Sequence, residues 1–231
     1  MAARLFAYDS GNVARKITRL FVYDSGGVVR QVKRLFAYDS GNVARLIYQL
    51  FAGSTSSYAS TGSFTETIPT GATQVVIENW GATGAGGNSD SSGAGAGGGG
   101  SGGYSKTTAT LTSSNWGENI AVTVGTAGIS TGSDGTASVV SSGTFSLTTM
   151  TAGGGHNGSN TAPGAGGSAS GGVDTNTTGN TGGVHSGSTG GAGGAGVVGT
   201  NGTGTAGSPG AAAINNLGPN GNPGKVIFTY T

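Results

Sequence analysis

The sequence predicts an all-β protein: N-terminal β-hairpin repeats, then a small β-sandwich-like framework carrying long polyglycine-II segments. Three observations lead there. From Gly190 to Gly210, glycine recurs at 190, 193, 196, 199 and 202, slips by one residue, and resumes at 204, 207 and 210. A period of three belongs to neither helix nor strand but to an extended, polyproline-II-like helix. Short alternating runs rich in Val, Ile and Thr interrupt the Gly-rich stretches, as strands would. A 15-residue repeat fills the N-terminus, each copy two alternating runs around a turn.

The polyglycine reading follows from backbone chemistry. A polyproline-II-like helix makes no internal hydrogen bonds, so every N–H and C=O needs an outside partner. Glycine has no Cβ, which lets neighbouring helices approach backbone to backbone. Collagen crowds its axis in the same way but needs abundant proline, and this chain has 51 glycines with 5 prolines. Ordering glycine costs about 0.5–1 kcal/mol more per residue than ordering alanine. Hydrogen bonds worth about 0.5–1.5 kcal/mol each offset this only if nearly all are made. A flexible Gly/Ser linker fits the composition too, but not the interleaving of these segments with strands.

Charged residues are 8% of the 231-residue chain, which suits neither an ordinary globular enzyme nor a charged disordered tail. Without cysteine there is no disulfide or thiolate metal site. There is no run of 18 apolar residues, so no membrane-inserting helix is expected. The N-terminus lacks the apolar core of a secretory signal, so synthesis in a cytoplasm is expected. Net charge is +1, but residues 1–51 hold eight Lys/Arg against three Asp, and the remainder two Lys against six Asp/Glu. Charge and composition break together near Phe51. The expected organisation is a repeat module at 1–51, a polar linker at 52–62 and a glycine-rich domain at 63–231.

In chain order, the motif Arg4-Leu-Phe-Ala-Tyr-Asp-Ser-Gly recurs from Arg19 and again from Arg34. Asp-Ser-Gly-Asn and Asp-Ser-Gly-Gly supply a turn-starting Asp and a Gly free to take positive φ. Arg4, Phe6 and Tyr8 share one face, as do Arg19, Phe21, Tyr23 and Arg34, Phe36, Tyr38 in the later copies. Three hairpins in a meander bury little alone and should lean on a partner or on copies of themselves. Fixed strand positions for these Arg and aromatic residues favour packing and docking over nucleic-acid stacking. Strands are then expected at 63–68 and 72–81 around Pro69-Thr70-Gly71, at Tyr104–Leu111 and at Asn119–Val124. A hairpin is expected from Thr136–Val140 and Thr144–Met150 around Ser141-Ser142-Gly143, and Lys225–Tyr230 closes the chain. Residues 152–224 are a Gly-rich excursion whose ends return to one β framework.

An ordered series of motifs resembles the glycine-rich β/polyglycine domain found near the tips of phage tail fibres and adhesins. The series is Ile77-Glu78-Asn79-Trp80-Gly81-Ala82, Gly84-Ala85-Gly86-Gly87, Gly102-Gly103-Tyr104-Ser105-Lys106, Val122-Thr123-Val124-Gly125, Ala152-Gly153-Gly154-Gly155 and Pro223-Gly224-Lys225-Val226-Ile227-Phe228-Thr229-Tyr230. The N-terminal copies resemble short β-repeats at the N-termini of phage structural proteins. The resemblance implies a virion surface module that is not an enzyme, attached to other virion proteins through 1–51 and assembled as a homo-oligomer, a trimer by analogy with fibres.

No catalytic, cofactor or metal motif competes with that reading. His156 and His185 both sit in Gly-rich loops, without HxH or HExxH spacing. GxSxG is absent, and no Gly-rich run ends in GK[ST]. Trp80, Tyr104 and Trp116 read as packing residues at strand ends. Residues 152–222 hold a single charge, Asp174, so recognition of a host receptor, glycan or outer-surface protein, would rest on short-range polar contacts from loops at His156-Asn157 and His185-Ser186. The alternative is a purely structural virion component such as a head fibre or decoration protein. An ice-binding bundle needs a flat, regular Thr-rich face and leaves the basic repeats without a role.

Overall fold

A computed structural model describes residues 21–23, 29–31, 34–38, 44–49, 51–90, 94–130, 133–208, 210–211 and 216–231. The chain divides into two compact units, Met1–Ala52 and Gly53–Thr231.

In the first unit, β1 (Phe21–Tyr23) pairs antiparallel with β2 (Val29–Gln31). β3 (Arg34–Tyr38) pairs likewise with β4 (Ala44–Gln49), with a register shift between Leu35 and Phe36. Each pair is a separate two-stranded sheet among the described residues. The first repeat, with Arg4, Phe6 and Tyr8, and also Arg19, lies outside the described residues.

The second unit is a sandwich of two five-stranded antiparallel sheets. One runs β12 (Ala169–Ser170), β11 (Met150–Ala152), β10 (Ser138–Ser142), β9 (Asn119–Val124), β6 (Gly62–Thr67). The other runs β13 (Thr175–Thr177), β8 (Tyr104–Thr110), β7 (Gln74–Trp80), β14 (Lys225–Tyr230), β5 (Ser54–Tyr58). Alternation fills the space between them: Val75, Ile77, Val226, Phe228 and Tyr230 from one sheet meet Ile120, Val122, Val124, Val140 and Met150 from the other. Asn79, fully buried, ties the sheets together, its Nδ2 donating to Ser138 O at 3.0 Å and Met150 O at 3.4 Å.

Two local expectations need correction. Residues 52–62, read as a linker, contain edge strand β5, which pairs with β14 along Ser54–Tyr58. Its Ser-Thr-Ser-Ser composition hid it; Tyr58 anchors it by stacking edge-on against Phe228, ring centroids 6.2 Å apart, and by donating to Glu66 Oε2 at 2.6 Å. The hairpin expected around 141–143 has a longer connection: β10 ends at Ser142, β11 starts at Met150, and Val140 opposes Met150. Ser142 Oγ bonds both the amide and the carbonyl of Leu147, and Phe145 N donates to Asn119 O, which holds 143–149 as a wide loop over the start of β9.

From one end of the sandwich the strands continue as polyglycine-II segments, here g1 to g10. Beyond or before β9, β10, β11 and β12 lie g3 (125–128), g4 (133–136), g5 (153–159) and g6 (162–168). Adjoining β7, β8, β13 and β14 lie g1 (81–89), g2 (94–103), g7 (179–187) and g10 (216–224). Neighbours bond in the order of the strands: g6, g5, g4, g3 in one layer and g7, g2, g1, g10 in the next, for example His156 N to Ala165 O and Gly84 N to Gly100 O. A third layer, g8 (189–196) and g9 (204–208 and 210–211), packs beneath g2 and g1.

Segment g2 shows why the period is three. Its Gly95, Gly98 and Ser101 amides donate to g7, Ala96 and Gly99 to g9, and Gly97, Gly100 and Gly103 to g5. Its carbonyls accept from g1, g6 and g8. A backbone that turns by a third of a circle per residue meets six neighbours in this way, and only glycine lets all six come close. An ideal Cβ on Gly97, Gly98, Gly99 or Gly100 would lie within 3.0 Å of a neighbouring carbonyl. The phase slip in the sequence is a chain reversal: Gly190, Gly193 and Gly196 on g8 face Gly210, Gly207 and Gly204 on g9.

Candidate functional site: the far end of the glycine bundle

The bundle has a polarity set by its register. Gly81 bonds Gly103 near the sheets, and Gly87 bonds Gly97 farther out. Two of the described reversals, 159–162 and 186–189, therefore lie at the end remote from the sandwich. Ser159 N donates to Ala162 O, and Ser159 Oγ accepts from Ala162 N, closing 159–162. Ser186 and Thr189 exchange two backbone bonds around Gly187, whose φ of 56° suits glycine. Asn160 Nδ2 reaches Asp90 Oδ2 at 3.2 Å, and Ser89 and Asn216 bond each other, so neighbouring segment ends are cross-braced. The result is a largely uncharged surface of Asn, Ser and Thr, with the exposed Leu217 among them, on a hydrogen-bonded backbone support.

The sequence-chosen residues fall in different places. Ser186 is exposed at this end. His185, half-buried beside it, has an Nδ1 with no hydrogen-bond partner. His156 and Asn157 lie instead midway along g5, two segments from His185, with g6 between. His156 Nδ1 is 2.7 Å from Asp134 Oδ2, both side chains about half exposed. Asn157 is spent on the fold: its Oδ1 accepts from Ala85 N at 2.7 Å, and its Nδ2 donates to Ile129 O and Ser133 O. It links Ile129 and Ser133 to g1. Of the residues expected to serve attachment, Phe21 and Tyr23 are in β1, and Arg34, Phe36 and Tyr38 in β3.

A second cluster escaped the sequence. The g8–g9 reversal, 197–203, straps across the outer face of the β8-β7-β14 sheet. There Glu78, fully buried, accepts from Thr200 N at 2.5 Å and Tyr104 OH at 2.7 Å through Oε1, and from Asn201 N at 2.8 Å through Oε2. Trp80 Nε1 donates to Val197 O at 2.9 Å, and Trp80, Tyr104, Val197 and Ile227 form a buried apolar cluster. Lys225 Nζ lies 5.7 Å over the Trp80 ring, and Lys106 Nζ donates to Thr200 Oγ1. Burial, then the hydrogen bond to Glu78, pushes the Tyr104 hydroxyl well above its ordinary range. Trp80 and Tyr104 are thus packing residues. Trp116, at the opposite end, donates to Ala72 O and is 37% exposed. The only sequence signal for Glu78 was a carboxylate between Val76 and Trp80 on a strand.

Among the described residues no three His, Cys, Asp or Glu side chains converge as a metal site, and no helix is long and apolar enough to cross a membrane. The family model described as a glycine-rich domain matches residues 58–231, from inside β5 to the last residue. No curated protein matches the chain.

Proposed function

We propose, for a chain that belongs to the glycine-rich domain family, a place on the surface of a phage particle: residues 1–51 attach it to other virion proteins, and the far end of the glycine bundle meets a host receptor. It is a binding module, not an enzyme, made in the host cytoplasm and assembled as a homo-oligomer, a trimer, through the N-terminal repeats. The observation that carries this is the polarity of the second unit. The chain enters it at Ser54, opposite Tyr230 and remote from the bundle, while the polar turns at 159–162 and 186–189 stand at the other end. Within this unit the point of chain entry and the polar turns thus lie at opposite ends, and turns can vary without disturbing a core. The receptor is a glycan or an outer-surface protein, met by short-range polar contacts.

The test is particle adsorption with both turns replaced. Altered host range supports the reading, and unchanged adsorption ends it. One observation favours a purely structural virion component, a head fibre or decoration protein: Asn157 is fully engaged and His156 is paired within the fold. Particles that assemble poorly without residues 1–51, yet adsorb normally with both turns replaced, would point there.

A further inference from the structure

The bundle is a piece of a lattice that could extend. Polyglycine segments bond in every direction around their axis, so any outer segment that showed glycine to solvent would offer a neighbouring molecule the contact that g8 offers g9. Of the described glycines in g1 to g10, Gly187 alone is exposed, and it sits at a turn. The outward third of each outer segment carries side chains instead. On g8 the row is Ala192 and Ala195, continued by Val198; on g6 it is Ala162, Ala165 and Ser168, all exposed. The inward rows of the same segments are Gly191 with Gly194, and Gly164 with Gly167, each buried.

We propose that these outward side chains terminate the lattice, and that Ala192 and Ala195 are the barrier between one bundle and a second copy of this chain. The packing already in place shows the mechanism. Gly190, Gly193 and Gly196 approach g9 so closely that a Cβ on any of them would strike its backbone. Across that contact run Gly207 N to Gly194 O and Gly210 N to Gly191 O, both 2.8 Å. A methyl on the outward row holds a second molecule beyond hydrogen-bond reach, as charges and bulges blunt the edge of a sheet. Removing both methyls would let two copies pair antiparallel about a two-fold axis, as g8 pairs with g9.

The experiment is sedimentation velocity on the full chain, comparing wild type, Ala192→Gly/Ala195→Gly and Ala192→Ser/Ala195→Ser over a range of concentrations. The glycine variant should show a mass that rises with concentration towards twice that of wild type, while the serine variant, which keeps Cβ, follows wild type. Ala162→Gly/Ala165→Gly, on the opposite layer, provides the same comparison if the first variant does not fold. A folded glycine variant with wild-type mass throughout overturns the proposal. So does association of the serine variant to the same extent.

Discussion

Gly100 is a direct place to test whether glycine is present for close approach. It lies on g2, fully enclosed, and a Cβ there falls about 1.4 Å short of the 3.4 Å at which ordinary contact with Ala165 O begins. In Gly100→Ala, g2 and g6 must part by about that much. Two bonds cross this boundary, Gly164 N to Gly98 O at 2.8 Å and Gly167 N to Ser101 O at 2.9 Å. Stretched to about 4 Å, neither survives. Gly164 and Gly167 are buried, so each stranded N–H costs about 1–3 kcal/mol. Alanine restricts the unfolded chain and returns about 0.4–1 kcal/mol, which leaves a net loss of about 1–5.5 kcal/mol, centred on about 3. Ala96, on the same segment, is fully buried with its methyl in place, so the effect depends on direction and not on glycine content. Gly187→Ala is the control: open space surrounds it, and only its φ is strained, for about 1–2 kcal/mol. Urea unfolding followed by tryptophan fluorescence measures both. Gly100→Ala no less stable than Gly187→Ala would refute the reasoning.

Other predictions follow from the same contacts. Gly196→Val should uncouple g8 from g9 and misfold the third layer, read as lost protection of the Gly204, Gly207 and Gly210 amides, whose acceptors are all on g8 or the adjoining Val197. Glu78→Ala strands the Thr200 and Asn201 amides and the Tyr104 hydroxyl, and should cost at least ~2 kcal/mol, with faster exchange confined at first to 197–203. The Tyr58 hydroxyl is pushed up to about 12, by burial and then by Glu66, while Tyr104 and Tyr230 are raised as well. A tyrosine that binds its proton more tightly when folded stabilises the fold below pH 10, and this is lost as pH climbs through 12. Thermal stability should therefore fall over that interval, with part of the 295 nm tyrosine absorbance appearing later in the folded chain than in the unfolded one. Adsorption mediated by the far end should change little with salt, because residues 152–222 carry one charge, Asp174.

The class of the fold was legible because its two signals are local. Alternation at Val75-Ile77-Asn79 and Ile120-Val122-Val124 marks strands, and the spacing of Gly190, Gly193 and Gly196 marks a three-fold helix. What was hidden is relational. A period of three says that three directions exist, not which segment lies in each, so neither the layer order nor the reversal at 197–203 could be read from it. β5 was concealed because an edge strand facing water needs few apolar residues. Glu78 resembles a solvent-facing strand residue until a distant segment covers it with two amides. The far end was harder still: His156 and His185 look alike in sequence, but one lies on the flank of g5 beside Asp134 and the other beside the remote turn, because height along a bundle depends on register and not on residue type.

Amide hydrogen exchange resolved by residue tests the central claim, that the glycine-rich half is an ordered lattice held by its backbone. The amides of g1 and g2, enclosed on all sides, should be protected to an extent comparable with β7 and β14, with shorter protection on outer g6 and g8. Exchange of Gly97 to Gly103 at the rate of an unstructured chain, while β7 stays protected, would contradict it.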